Sequence, residues 1–80
     1  MEIHLLAFGI AREILGCSRK TMTLEPGTTI GALRRRLEQD APGLSRIKAW
    51  AMAVNSEYAQ DDTVVKPGDE IAVIPPVSGG

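Results

Sequence analysis

The sequence predicts a two-layer α+β domain in which one mixed sheet packs on one main helix, and three observations carry that prediction. Two segments near the N-terminus alternate apolar and polar residues at the period of a strand. One segment, from Ile30 to about Gln39, repeats its apolar residues at the period of a helix. Two later apolar runs are separated by Asn-Ser and Pro-Gly turn signals. The expected order is strand, strand, helix, strand, short strand, strand, and a sheet laid on a helix buries the apolar faces of both.

Each element has its own signal. Ile3, Leu5 and Ala7 alternate with Glu2, His4 and Leu6, which is a strand pattern. Gly9 breaks it, and Ile10 to Leu15 reads as a short helix stopped by Gly16. Lys20 to Leu24 forms a second strand with Met22 and Leu24 on its apolar face, and the short connection makes an antiparallel pair. Pro26-Gly27 turns the chain, Thr28 or Thr29 caps the main helix, and Ile30, Leu33 and Leu37 form its apolar face. Pro42-Gly43 is expected to end that helix. Ala49 to Val54 is a third strand, Asn55-Ser56 turns toward Tyr58, and Pro67-Gly68-Asp69 introduces a buried strand from Glu70 to Ile74. With one Phe, one Tyr and one Trp in the chain, aliphatic residues must fill the core, and Trp50 is expected to anchor it.

Composition excludes several classes. Eighty residues make one domain, and a net charge of -1 leaves no footprint for nucleic acid. No apolar run approaches the ~20 residues that span a bilayer, and no basic segment precedes an apolar one, so no membrane partner and a cytoplasmic location are expected. Cys17 is the only cysteine, which rules out an internal disulfide and suits a reducing compartment.

Catalytic motifs are mostly missing. One histidine and one cysteine cannot by themselves supply the ligands of a zinc site. His4, among apolar residues at a strand start, is read as structural. Nothing in the pattern sets Cys17 beside it as a nucleophile pair, although Arg19 and Lys20 could lower the thiol pKa. Gly27 and Gly31 lack the lysine of a phosphate loop. Arg34, Arg35 and Arg36 read either as a solvated face, with Arg34 and Glu38 at i, i+4 spacing, or as a dock for an acidic partner. Asp61, Asp62, Asp69 and Glu70 stand near turns and are read as loop chemistry. The body does not resemble an enzyme.

The ending IAVIPPVSGG carries the functional signal. Pro75 and Pro76 fix φ near about -65° and donate no backbone hydrogen bond, so they stop the sheet ladder and send the chain out extended. From Pro75 to Gly80 such a flexible tail reaches about 20 Å. Val77 keeps one apolar anchor, while Ser78, Gly79 and Gly80 add almost no bulk and can thread a narrow channel. A terminal carboxylate with a pKa of about 3.5 is ionised and a poor electrophile, so it needs activation, for example by adenylation on a partner. The activated Gly80 carbonyl could then accept an amine, a thiol or sulfide. The alternative is that the two glycines are a frayed terminus. The expected organisation is a folded domain over residues 1–74 and a tail over 75–80.

Over essentially its whole length the chain resembles the small subunit of molybdopterin synthase, the MoaD-type sulfur carriers of ubiquitin-like β-grasp fold. AFGIAREILG, with Arg12-Glu13, resembles the family's strand-to-helix segment; MAVN resembles its middle strand; PGDEIAVIPPVSGG resembles its C-terminal signature. Val73 and Ile74 stand where aromatics are frequent, and Ser78 where alanine is common. The resemblance implies that a MoeB-type enzyme spends ATP to adenylate Gly80 and that a sulfurtransferase system converts it to a thiocarboxylate. A MoaE-type large subunit would receive the tail and hold the cyclic pyranopterin monophosphate that takes the sulfur. It implies no cofactor bound by this chain, catalytic groups on the large subunit, and a heterotetramer of two copies of each subunit. Phe8, Arg12, Tyr58 and Ile74 would form the partner surface, with Phe8 as plain core the competing reading. A thiazole-pathway carrier, a modifier joined to lysines through Gly80, and an interaction module with an inert tail are the rival functions. The Pro-Pro-Val lead into Gly-Gly argues against the first.

Overall fold

Alternation along the strands folds the chain into one five-stranded sheet with its main helix across one face. The structure is a computed structural model and describes residues 1–47 and 49–76. The strands are β1 (Glu2–Ala7), β2 (Arg19–Thr23), β3 (Ala51–Val54), β4 (Glu57–Tyr58) and β5 (Glu70–Ile74). Helix α1 (Gly9–Leu15) follows β1, and α2 (Ile30–Asp40) follows β2. The strand order is β2-β1-β5-β3-β4. The β1–β2, β3–β5 and β3–β4 pairs are antiparallel, and β1 runs parallel to β5 with Leu5 opposite Ile71 and Ala7 opposite Val73.

The inward residues of three neighbouring strands, Ile3 and Leu5, Ile71 and Val73, and Met52, are buried with Ile30, Leu33 and Leu37 of α2. Burying an aliphatic side chain of this size contributes about 1.5–3 kcal/mol, so this layer is the main driving force of the fold. Trp50 is buried as expected, although it lies just before β3. Ala49 is exposed with φ 57°, so the strand begins at Ala51, two residues later than the apolar run suggests.

Capping follows the physics of the free N–H groups. Thr29, not Thr28, is the N-cap of α2, its hydroxyl accepting from Ala32 N–H at 3.2 Å. Thr28 instead donates its hydroxyl hydrogen to the Glu25 carbonyl. Two more N–H groups of the first turn are taken by the loop before β5: Ile30 donates to Thr63 O and Gly31 to Asp61 O, both at 2.9 Å. A Cβ on Gly31 would lie 3.1 Å from Asp61 Cβ, so the close approach of this loop favours glycine. The far end of α2 falls where the proline predicts, and a further turn follows it. Regular helix stops at Asp40, because the residue before a proline avoids helical backbone, and Ala41 has φ -135° and ψ 82°. Pro42–Arg46 then makes a 3₁₀ turn that buries Leu44, with Pro42 at its first position.

The arginine run divides by what each side chain reaches. Arg34 does not complete the expected pair with Glu38. Its Nη1 donates to Trp50 O at 2.9 Å, its guanidinium lies 4.4 Å from the Trp50 ring centroid, and its Nε is 3.5 Å from Asp61 Oδ1. The i, i+4 pair is Arg36 with Asp40, 3.9 Å apart on the surface. Asp69 serves the turn before β5, as the loop reading expects, yet it is only 9% exposed, accepting from Asn55 Nδ2 (3.0 Å) and Lys66 N–H (2.8 Å). Asn55, at φ 50°, completes the clip by accepting from Glu70 N–H at 3.0 Å.

Arg34→Ala is expected to cost about 1–2 kcal/mol, from the stacked ring and the carbonyl bond. The exposed Asp61 adds little to that figure. Urea unfolding at unchanged slope checks it, and an unaltered midpoint would return Arg34 to a solvated face. Asn55→Ala should lower the midpoint by a comparable amount, about 1–2 kcal/mol, by leaving Asp69 without its side-chain partner. Equal stability of that variant would show the clip to be idle.

Candidate functional site

The candidate site is the end of β5 and the sheet surface around it. Because β5 lies between β1 and β3, the chain emerges at Ile74 from the middle of the sheet, where Ile74 is paired with Ala51. Regular pairing ends there, as two residues without N–H groups require. Pro75 is half-buried and Pro76 exposed. Val77, Ser78, Gly79 and Gly80, on which the tail expectation falls, lie outside the described residues.

Pro75 leaves the sheet against the start of α1. Gly9 has φ 54°, and a Cβ there would sit 3.3 Å from Pro75 Cγ. Both the left-handed backbone and the close ring contact select glycine. Phe8, extended at φ -125° and ψ 154°, ties the corner together: its N–H donates to Val73 O at 3.4 Å. Its carbonyl accepts from the Ala11 and Arg12 N–H groups, which sets exposed Arg12 one helical turn away.

Register decides what surrounds this exit. On the face turned away from α2, Leu6, Ala72, Ala53 and Tyr58 lie on one line across four strands. Ile74 and Ala51 form the next line, and Phe8 continues the outward alternation of β1 beside Ile74. Phe8 is 50% exposed and Tyr58 76%, so Phe8 is not plain core. The structure therefore brings together three of the four residues named for a partner surface, and puts Arg12 beside Phe8 on α1. Ala53 on this line is itself buried, at 5% exposure, and sequence reading missed the half-buried Leu6 and Ala72. Their signal is present in the chain, since Leu6 and Ala72 are apolar at strand positions whose phase points to solvent. Phe8 and Tyr58 thus leave apolar area open beside the chain exit.

The other candidates lie apart from one another among the described residues. His4 is exposed on this same sheet face, opposite Thr21 and Glu70, rather than enclosed by the apolar residues around it in sequence. Cys17 is a half-exposed free thiol between α1 and β2. Among the described residues, no three His, Cys, Asp or Glu side chains are grouped to hold a metal ion, and no helix is long and apolar enough to cross a membrane.

A mixed sheet in this order, with one main helix across it and its last strand in the centre, defines a ubiquitin-like β-grasp protein. The small archaeal modifier protein 1 of Haloferax volcanii has the same fold, with a TM-score of 0.85 and 26% identity over 100% of both chains. A complex of subunits 1 and 2 of the molybdopterin-converting factor of Helicobacter pylori contains a similar chain, with a TM-score of 0.71 and 28% identity over 100% of both. In sequence, the molybdopterin synthase sulfur carrier subunit of Chlamydomonas reinhardtii is 37% identical over 83 aligned residues, covering 100% of both chains. The chain belongs to the ThiS family, whose model matches residues 5–80.

Gly9→Ala is expected to destabilise the fold by about 1–2 kcal/mol through its left-handed backbone. A further loss from the Pro75 contact should be relieved when Pro75→Ala removes the ring carbon. A double-mutant cycle in urea measures this, and strict additivity would show that Gly9 and Pro75 act independently.

Proposed function

We infer that this protein is the sulfur carrier subunit of a molybdopterin synthase, working through a thiocarboxylate on Gly80. The observation that carries the reading is the exit of the C-terminal strand from the centre of the sheet, beside an exposed apolar surface, in a chain whose relatives carry that name. The fold supplies the anchor and the docking face, and Pro75 to Gly80 supplies the reach.

The chemistry follows from the weakness of a carboxylate as an electrophile. On a MoeB-type partner, the Gly80 carboxylate attacks the α-phosphorus of ATP, pyrophosphate leaves, and an acyl adenylate forms. Hydrosulfide then displaces AMP and leaves the thiocarboxylate directly; a persulfide from a sulfurtransferase system displaces AMP to give an acyl disulfide, whose S–S bond a thiol reduces to the same thiocarboxylate. Docking on a MoaE-type large subunit through Phe8, Tyr58 and Ile74, with Arg12 alongside, carries the tail to the cyclic pyranopterin monophosphate. Two carrier turnovers complete one dithiolene. ATP is consumed on the activating partner, so this chain needs no cofactor of its own. A single cysteine, Cys17, accords with a cytoplasmic setting.

A second reading is favoured by the likeness to the archaeal modifier: the same activated Gly80 can acylate a lysine amine and end in an isopeptide bond. The two readings share the adenylate and part at the acceptor.

Incubation with ATP, a MoeB-type enzyme and a sulfur source should leave a thiocarboxylate on Gly80, read by intact mass and by mapping of the C-terminal peptide. Mapping is essential because oxidation of one of the three methionines gives nearly the same shift. An unmodified Gly80, with the enzyme active on a control carrier, would refute the carrier reading, and a ladder of lysine adducts would favour the modifier. Phe8→Ala should weaken binding to the large subunit by about 1–3 kcal/mol in calorimetry, the range of an interface anchor. Unchanged affinity would remove Phe8 from that interface.

A further inference from the structure

Strand β2 is one edge of the sheet, and its hydrogen-bonding phase is fixed by its ends. Leu24 N–H donates to Met1 O at 2.7 Å, and Ala7 N–H donates to Ser18 O at 3.0 Å. The pairs between them alternate, so Ile3–Met22 and Leu5–Lys20 exchange the ladder bonds with β1. Arg19, Thr21 and Thr23 therefore direct their N–H and C=O groups away from the sheet. Arg36 Nη1 covers the Thr23 carbonyl at 3.1 Å. Among the described residues, the outward backbone groups of Arg19 and Thr21 have no protein partner.

Beside this open edge lies a cleft of about 440 Å³ between the sheet and the C-terminal end of α2. Its apolar wall includes Ile14, Leu15, Leu37 and Ala41, while Lys20 and Asp40 are its charged members. Charge selects what can fill it. Arg19 and Lys20 are exposed on the edge strand and Arg36 reaches over its end, whereas Asp40 already lies 3.9 Å from Arg36. A second copy of β2 would double the positive charge along the seam, so the edge discourages its own kind.

We propose that the β2 edge docks an extended segment of a partner protein that alternates apolar and acidic residues. The segment adds as an outer strand to the free groups of Arg19 and Thr21. Its apolar side chains enter the cleft, and its acidic side chains face Arg19. Backbone bonds supply the attachment, while the cleft and the cations supply selection. This surface is separate from the tail exit, because β1 lies between β2 and β5. It therefore stands whether or not Gly80 carries sulfur.

The test is amide NMR of the full 80-residue chain with the capped peptide Asp-Val-Glu-Val-Asp-Val-Glu. Titration should shift the amides of Arg19 to Thr23 together with Ile14, Leu15 and Ala41, and slow hydrogen exchange at Thr21. The same peptide with lysine at every acidic position should bind about tenfold more weakly or worse. Thr21→Pro removes an outward donor that β1 does not use, and should weaken the acidic peptide at least about tenfold. If that variant fails to fold, Arg19→Glu with Lys20→Glu, both exposed, provides the check and should reverse the preference toward the lysine peptide. No binding of the acidic peptide at millimolar concentration would overturn the proposal. So would shifts confined to Leu6, Ala72 and Ile74, or dimerisation of the free chain through β2.

Discussion

The parallel pairing of β1 with β5 is the constraint on which the remaining features depend. It joins the beginning of the chain to its end at the centre of the sheet, with Leu5 beside Ile71 and Ala7 beside Val73 on the buried side. Parallel partners need a long crossover, and everything from α1 to the turn at Pro67-Gly68 supplies it. Because β5 is enclosed by β1 and β3, its C-terminal end is held on both flanks up to Ile74, where pairing stops. The same pairing sets Phe8 beside Ile74.

Two faces of one sheet thus perform different work. The inward residues meet α2 and provide the burial that holds the fold. The outward residues near the exit are also apolar, half-buried at Leu6, Ala72 and Ile74 and exposed at Phe8 and Tyr58. Polar residues take over toward the other end of the same face, where His4 lies between Thr21 and Glu70.

Small polar devices keep the crossover in place. Arg34 holds α2 to Trp50 just before β3, and Asn55 with Asp69 fastens the β3–β4 turn to the start of β5. Both act on strands that flank or form the exit. Loosening either would shift β3 and β5, and with them the point where the chain leaves the sheet.

Much of this was legible in the chain. Period-two alternation placed β1, β2 and β5, the Ile30–Leu33–Leu37 spacing placed α2, and the prolines after Ile74 marked where pairing must stop, because these signals are local. The partners of Arg34 and Asp69 were not legible: Trp50, Asp61 and Asn55 are distant in sequence and become neighbours only on folding. Nor could the sequence show that Phe8, Leu6, Ala72 and Tyr58 share one surface, since a register is a property of paired strands and shifting it by one residue would turn each side chain to the other face. By itself the sequence determined the kinds of element, their order and the chemistry available at the ending. Tertiary structure alone decided which strand stands at the centre, which face stays uncovered and which edge stays open, because these depend on non-local hydrogen bonds that no short stretch of residues encodes.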